Sequence, residues 1–403
     1  MTSNAASPAA TRREVVTVYA IGLFQGLSLV AFPAAAIVLT SRTGYDLSRS
    51  RYGVLFLPQV VLAIAGSLAL PALAHRFRLK QVLLAGLVAD AMAMSLLAAS
   101  YPLRAGAAAY PMLLLATASL GLGFGLTLGS ISTYAGAFMP GRRAVALTAL
   151  NVLLGLGTAL SPFLIAIFTD LGQWWYLPLL AVAGLVVLIM ASLAQPMGIP
   201  VANGRPGRPR IPSLFWLFAA ALVIYGVAET MFGNWGTTLL VSRGMKPASA
   251  NEALAAFWAA VTVGRLLIAL VSGKIRSTRI YVALPWAICG ALLLAPAAHS
   301  AGAGIALFAF GGLACSGFFP MSVGYGESTF PSIVELAAGW LIAAYQLGYG
   351  LAAFGAGALQ NVIPLSAVFR LMALPVVAMA VLAAVIARRQ DQPASRSLKS
   401  PPS

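Results

Sequence analysis

Apolar residues run through this chain in long unbroken stretches, without the 3.6-residue spacing of a half-wet helix or the alternation of a half-wet strand. About 20 such residues in helical form cross a bilayer. Twelve stretches of that kind can be marked: 15–40, 51–74, 80–100, 109–138, 144–169, 174–195, 213–241, 250–273, 279–298, 302–325, 334–360 and 364–387. Pro, Gly and charged residues separate them. The pattern predicts an all-α membrane protein with twelve transmembrane helices. Residues 1–14 and 389–403 are polar tails. Residues 196–212, PMGIPVANGRPGRPRIP, hold Pro and Gly without apolar periodicity and read as a linker. It would separate an N-terminal six-helix bundle (15–195) from a C-terminal one (213–388).

Composition sharpens the class. Of 403 residues, 60% are hydrophobic and 8% charged, against roughly 25% charged in soluble domains. That excludes a cytosolic enzyme, a disordered chain and a disulfide-built module. The net charge is +16, which in a soluble protein would suggest nucleic acid. Here the basic residues are scattered between apolar runs, so they read as topology signals and nucleic acid is not an expected partner. With the N-terminus inside, six Lys or Arg fall in outer loops: Arg42, Arg49, Arg51, Arg104, Arg243 and Lys246. Arg265 and Arg370 fall within helices, and the other 17 of the 25 lie inside. This bias predicts two cytoplasmic termini and an even number of spans. The first apolar run follows Arg12 and Arg13 and has no cleavage site after a short core, so it reads as a membrane helix.

Candidate chemistry is sparse. Cys289 and Cys315 lie singly in apolar runs, and His75 and His299 are far apart, so no metal site is expected. A charge in the hydrocarbon is expensive and marks function first. Glu229 lies about 20 Å into the seventh segment at 1.5 Å per residue. It is the proton-coupling candidate, against the alternative of a carboxyl that only locks helices together. Arg265 in segment eight is a charge-pair or gating candidate, with Glu229, Glu327 or Glu335 as its possible partner. Asp90 and Arg370 read as structural. Gln25, Asn151, Asn234, Trp235, Tyr325, Tyr345 and Gln346 are candidates to line a cavity, or else to bond between helices.

The chain also repeats itself. Gly26 matches Gly226, Phe32 matches Phe232, and Arg76 matches Arg276, each pair 200 residues apart. Further on, Gly121 matches Gly312, Pro140 matches Pro331, and Gly157 matches Gly348, each pair 191 apart. Two parallel six-helix halves with a basic central loop resemble the major facilitator superfamily. Local stretches are similar to its fucose-permease-like branch of sugar–proton symporters. They are Tyr225-Gly226-x-x-Glu229-x-x-x-Gly233-Asn234-Trp235, Gly264-Arg265, Asn151 with Gly155-x-Gly157 and Pro162, and Phe319-Pro320. The family's loop between segments two and three is matched by residues 71–80, but His75 replaces its acid and Arg78 its second Gly. The basic residues survive, which makes Arg76 and Arg276 gating candidates. Segments one and four lack the acids those sugar symporters tend to carry, which weakens the case for a sugar substrate.

The resemblance implies two pseudo-symmetric bundles with a solute site near the midplane, in a bacterial inner membrane. It implies a secondary transporter for a small organic solute, coupled to protons, that needs no cofactor and no second copy of itself. Proton-driven efflux of amphipathic compounds is the alternative. A membrane enzyme or receptor is the remaining one, though catalytic clusters and soluble domains are lacking.

Overall fold

The computed structural model describes residues 10–198, 211–271, 274–330 and 333–390, without the side chains at 140, 144 and 334–338. Twelve helices are long and apolar enough to cross a membrane: α1 (Arg12–Thr40), α2 (Arg49–Phe77), α3 (Leu79–Ser100), α4 (Ala109–Phe138), α5 (Val145–Asp170), α6 (Tyr176–Ala194), α7 (Phe215–Ser242), α8 (Pro247–Val271), α9 (Ser277–Ala297), α10 (Ala301–Thr329), α11 (Gly339–Leu359) and α12 (Leu365–Gln390). They follow the apolar runs of the sequence. No strand occurs among the described residues. Hydroxyl side chains begin several of them. Thr11 and Glu14 form a capping box at α1, Ser48 caps α2 and Ser300 caps α10. Val187, Leu270 and Val381 point outward, where lipid replaces water as the solvent.

The helices assemble as two bundles. In the first, α1 lies on α5, α4 and α6, while α4 also holds α2 and α3. In the second, α7 lies on α11, α8 and α12, while α10 holds α8 and α9. Across the middle, α2 meets α11 and α5 meets α8.

The repeated glycines explain this symmetry. Lipid gives helices little reason to associate, so close backbone approach has to hold them. Gly26 of α1 lies against the backbone of Leu154 and Thr158, and Gly157 of α5 against Leu23 and Leu27. In the other half, Gly226 of α7 lies against Tyr345 and Tyr349, and Gly348 of α11 against Val223. Gly121 on Gln59 and Gly312 on Phe257 form the next matched pair. The repeat in the sequence is therefore a repeat of helix crossings.

Two departures from regularity matter. Helix α10 breaks at Ser316 and Gly317, upstream of Pro320. Proline has no N–H to offer the carbonyl four residues earlier, which here belongs to Ser316. Arg78, the residue that replaces a family glycine, joins α2 to α3 with φ 64° and ψ 141°. Only glycine adopts that conformation without strain.

Candidate functional site

The broken helix shapes a polar centre in the second half. Arg265 of α8 donates its Nε to the freed carbonyl of Ser316, at 3.3 Å. The neighbouring Cys315 carbonyl accepts from the Tyr225 hydroxyl at 2.8 Å. Tyr225 and Glu229 lie four apart on α7 and so share one face. The same Tyr225 hydroxyl lies 2.6 Å from Glu229 Oε1, within hydrogen-bond distance. From α11, the Tyr345 hydroxyl donates to Glu229 Oε2 at 2.5 Å. Glu229 is 4% exposed.

Rings close the centre. Tyr225 stacks on Phe318, and Tyr345 packs 5.1 Å from Phe319. Arg265 is near enough to act on Glu229 through space. Among the described residues no ion pair joins them, so of the three acids expected as partners for Arg265, Glu229 is a through-space neighbour only. Four helices thus converge on one buried acid whose bonded partners are neutral phenols.

A second cluster lies nearer the end of the bundle opposite the linker. Tyr52 of α2 donates to the Asn234 carbonyl of α7 at 3.3 Å, and its ring meets Trp235 edge-on at 5.2 Å. Asn234 Nδ2 donates to the Tyr349 hydroxyl at 3.0 Å, and Trp235 Nε1 to the Ala352 carbonyl at 3.3 Å. Phe56 packs on Tyr349, Asn361 donates to Ser50 at 2.9 Å, and Gly53 lies against the backbone of Ala353 and Phe354. These hydrogen bonds and ring contacts join the two halves at this end. This end is sealed.

A family model described as Major Facilitator Superfamily matches residues 17–305, well over half of the chain. The chain belongs to the Major Facilitator Superfamily. Its structure is similar to a mutant of the nucleoside transporter NupG, with TM-score 0.74 and 13% identity over 92% of this chain and 99% of that one. It is also similar to a D-xylose-proton symporter, with TM-score 0.71 and 14% identity over 93% and 96%. At such identities the likeness is one of fold. No curated protein sequence matches the chain.

In this major facilitator transporter the expected site residues separate. Glu229, Arg265 and Tyr345 come together, whereas Asn234 and Trp235 belong to the seal. Gln25 meets Asp90 in the other half, with its Nε2 donating to Oδ1 at 3.3 Å. Asn151 is exposed and donates to its own helix at the Leu147 carbonyl. Tyr325 sets its ring edge-on to Tyr281 of α9, and Gln346 is buried. Glu327 is exposed, Arg76 lies over the Phe77 ring, and Arg276 is exposed just before α9. The side chain of Glu335 lies outside those described. The sequence reading missed Tyr52, Phe56 and Tyr349. The last was visible in principle, because Tyr345 and Tyr349 share the four-residue spacing of one helix face.

Proposed function

We propose that the chain moves a small organic solute by rocking its two halves about a central site, and that a proton on Glu229 drives the cycle. The observation that carries this reading is the count of protons around that acid. Tyr225 has one hydroxyl hydrogen and two acceptors within reach, Glu229 Oε1 and the Cys315 carbonyl. If Glu229 carries a proton, it donates to Tyr225, Tyr225 donates to Cys315, and Tyr345 donates to the other carboxyl oxygen. Every group is then satisfied. When Glu229 releases its proton, Tyr225 must serve two acceptors, and Arg265 becomes the nearby counter-charge. Proton release would thereby reset contacts among α7, α8, α10 and α11 together.

The excess of Lys and Arg supports placing both termini in the cytoplasm of a bacterial inner membrane. The sealed end then faces outward and the present conformation faces inward. The D-xylose-proton symporter among the similar structures supports symport. Export of an amphipathic compound is the second reading, favoured by how little charge α1, α4, α7 and α10 carry away from their ends.

The test is flux in proteoliposomes, with a nucleoside, D-xylose and a panel of amphipathic compounds as probes. Accumulation along an imposed proton gradient indicates symport, and movement against it indicates export. Glu229→Gln is expected to abolish gradient-driven accumulation while leaving solute exchange. Full gradient-driven accumulation in that variant overturns the role of the acid.

A further inference from the structure

The first half holds its own buried acid. Asp90 lies halfway along α3, eleven residues or about 16 Å from its start, and is 0% exposed. It accepts from Thr127 Oγ1 of α4 at 3.1 Å and from Gln25 Nε2 of α1 at 3.3 Å. Gly123 of α4 makes the room, since a Cβ there would collide with the carboxyl. Gln25 Oε1 has no partner among the described residues.

The internal repeat shows what is unusual here. Gln25 corresponds to Tyr225, 200 residues on, and Thr127 to Phe318, 191 on. Helix α9 packs on α10 and α12 as α3 packs on α4 and α6, and it brings Tyr281 to Phe318. In the second half these three residues form a stack of rings, with Phe318 between Tyr225 at 5.6 Å and Tyr281 at 4.7 Å. The matching three-helix junction is thus built on stacked rings in one half and on a buried acid in the other. Packing alone does not require the acid.

Nor does the surrounding protein favour a charge there. An ionised carboxylate has about four lone-pair sites to satisfy, and this one meets two neutral donors. The helices packed against α3 carry no Lys, Arg or His in their interiors. The titratable groups of α1 are Arg12, Arg13, Glu14 and Tyr19, near its start. Those of α4 are Tyr110 and Tyr134. That of α6 is Tyr176, and those of α2 are Arg49, Arg51, Tyr52, His75 and Arg76. Only neutral groups bond to Asp90. The site suits a carboxyl that holds a proton here and gives it up when the junction of α1, α3 and α4 opens.

We propose that Asp90 is a second proton-carrying acid, so that each half of the transporter brings one carboxyl to the cycle. That Asp90 carries a proton does not depend on the role assigned to Glu229; that each half brings one acid rests on both.

The test is infrared spectroscopy of the full chain in lipid, titrated through neutral pH, which needs no transported solute. The carbonyl stretch of a protonated carboxyl is read in wild type, Asp90→Asn and Glu229→Gln. Asp90→Asn keeps the shape and can still bond to Thr127 and Gln25. The expected result is a pH-responsive band lost in Asp90→Asn and retained in Glu229→Gln. If Asp90→Asn loses no pH-responsive band the proposal is overturned, as it is by an Asp90 band that never responds to pH. If Asp90→Asn does not fold, Thr127→Val keeps the acid and removes one donor. The Asp90 band must then shift in frequency while still responding to pH, and an unmoved spectrum overturns the assignment.

Discussion

Tyr225→Phe and Tyr345→Phe remove one hydroxyl each, but they do not remove the same thing. Loss of the Tyr345 hydroxyl leaves one carboxyl oxygen of Glu229 without its donor. Loss of the Tyr225 hydroxyl unpairs Glu229 and the Cys315 carbonyl together. Side-chain bonds between membrane helices are worth about 0.6–1.7 kcal/mol. Both variants should therefore melt earlier than wild type in detergent, Tyr225→Phe by more, and equal losses would contradict the shared-hydroxyl geometry. Arg78 gives a prediction of opposite sign. Its backbone conformation costs about 1–3 kcal/mol in a residue other than glycine, and glycine's own entropic cost is about 0.5–1 kcal/mol. Arg78→Gly should raise stability by about 1 kcal/mol in the same assay. Glu229 was legible in the sequence because an acid stands out in an apolar run. Its phenol partners were not legible as partners, because a tyrosine hydroxyl shows nothing of what it faces.

At the level of helices, small residues decide the packing. Gly157 and Gly348 occupy matched crossings with no space for a Cβ, whereas Gly290 of α9 has open space around it. Overpacking costs about 1–3 kcal/mol, and more where the obstacle is backbone. Gly157→Val and Gly348→Val should each lose that much or more. Gly290→Ala should be neutral or gain up to about 1 kcal/mol from helix propensity. Thermal unfolding of the three variants checks the contrast. The twelve spans and the repeat were readable, because hydrocarbon thickness sets helix length and glycine marks close approach. Which face α3 presents was not readable. Its residues are apolar nearly all round, so no stripe marks an inner side. In the sequence Asp90 reads only as structural, although it bonds to α1 and α4. For the same reason the sequence did not show what Asn151 faces; it is exposed and bonds back to its own turn.

For the whole molecule, the two halves must meet at one end at a time. Here Tyr52, Trp235 and Tyr349 join them at the end opposite the linker, and the account requires a second arrangement in which those contacts part. The most direct test labels Ala107 with Val362 at the sealed end, and His75 with Ser328 at the linker end. All four are exposed, and the native Cys289 and Cys315 are replaced first. Electron–electron spin distances in lipid are then compared at neutral and acid pH. The account predicts that the populations shift in opposite senses, one pair lengthening as the other shortens, and that Glu229→Gln loses the response. Distances that ignore pH in the wild-type background, or two pairs that lengthen together, would contradict it.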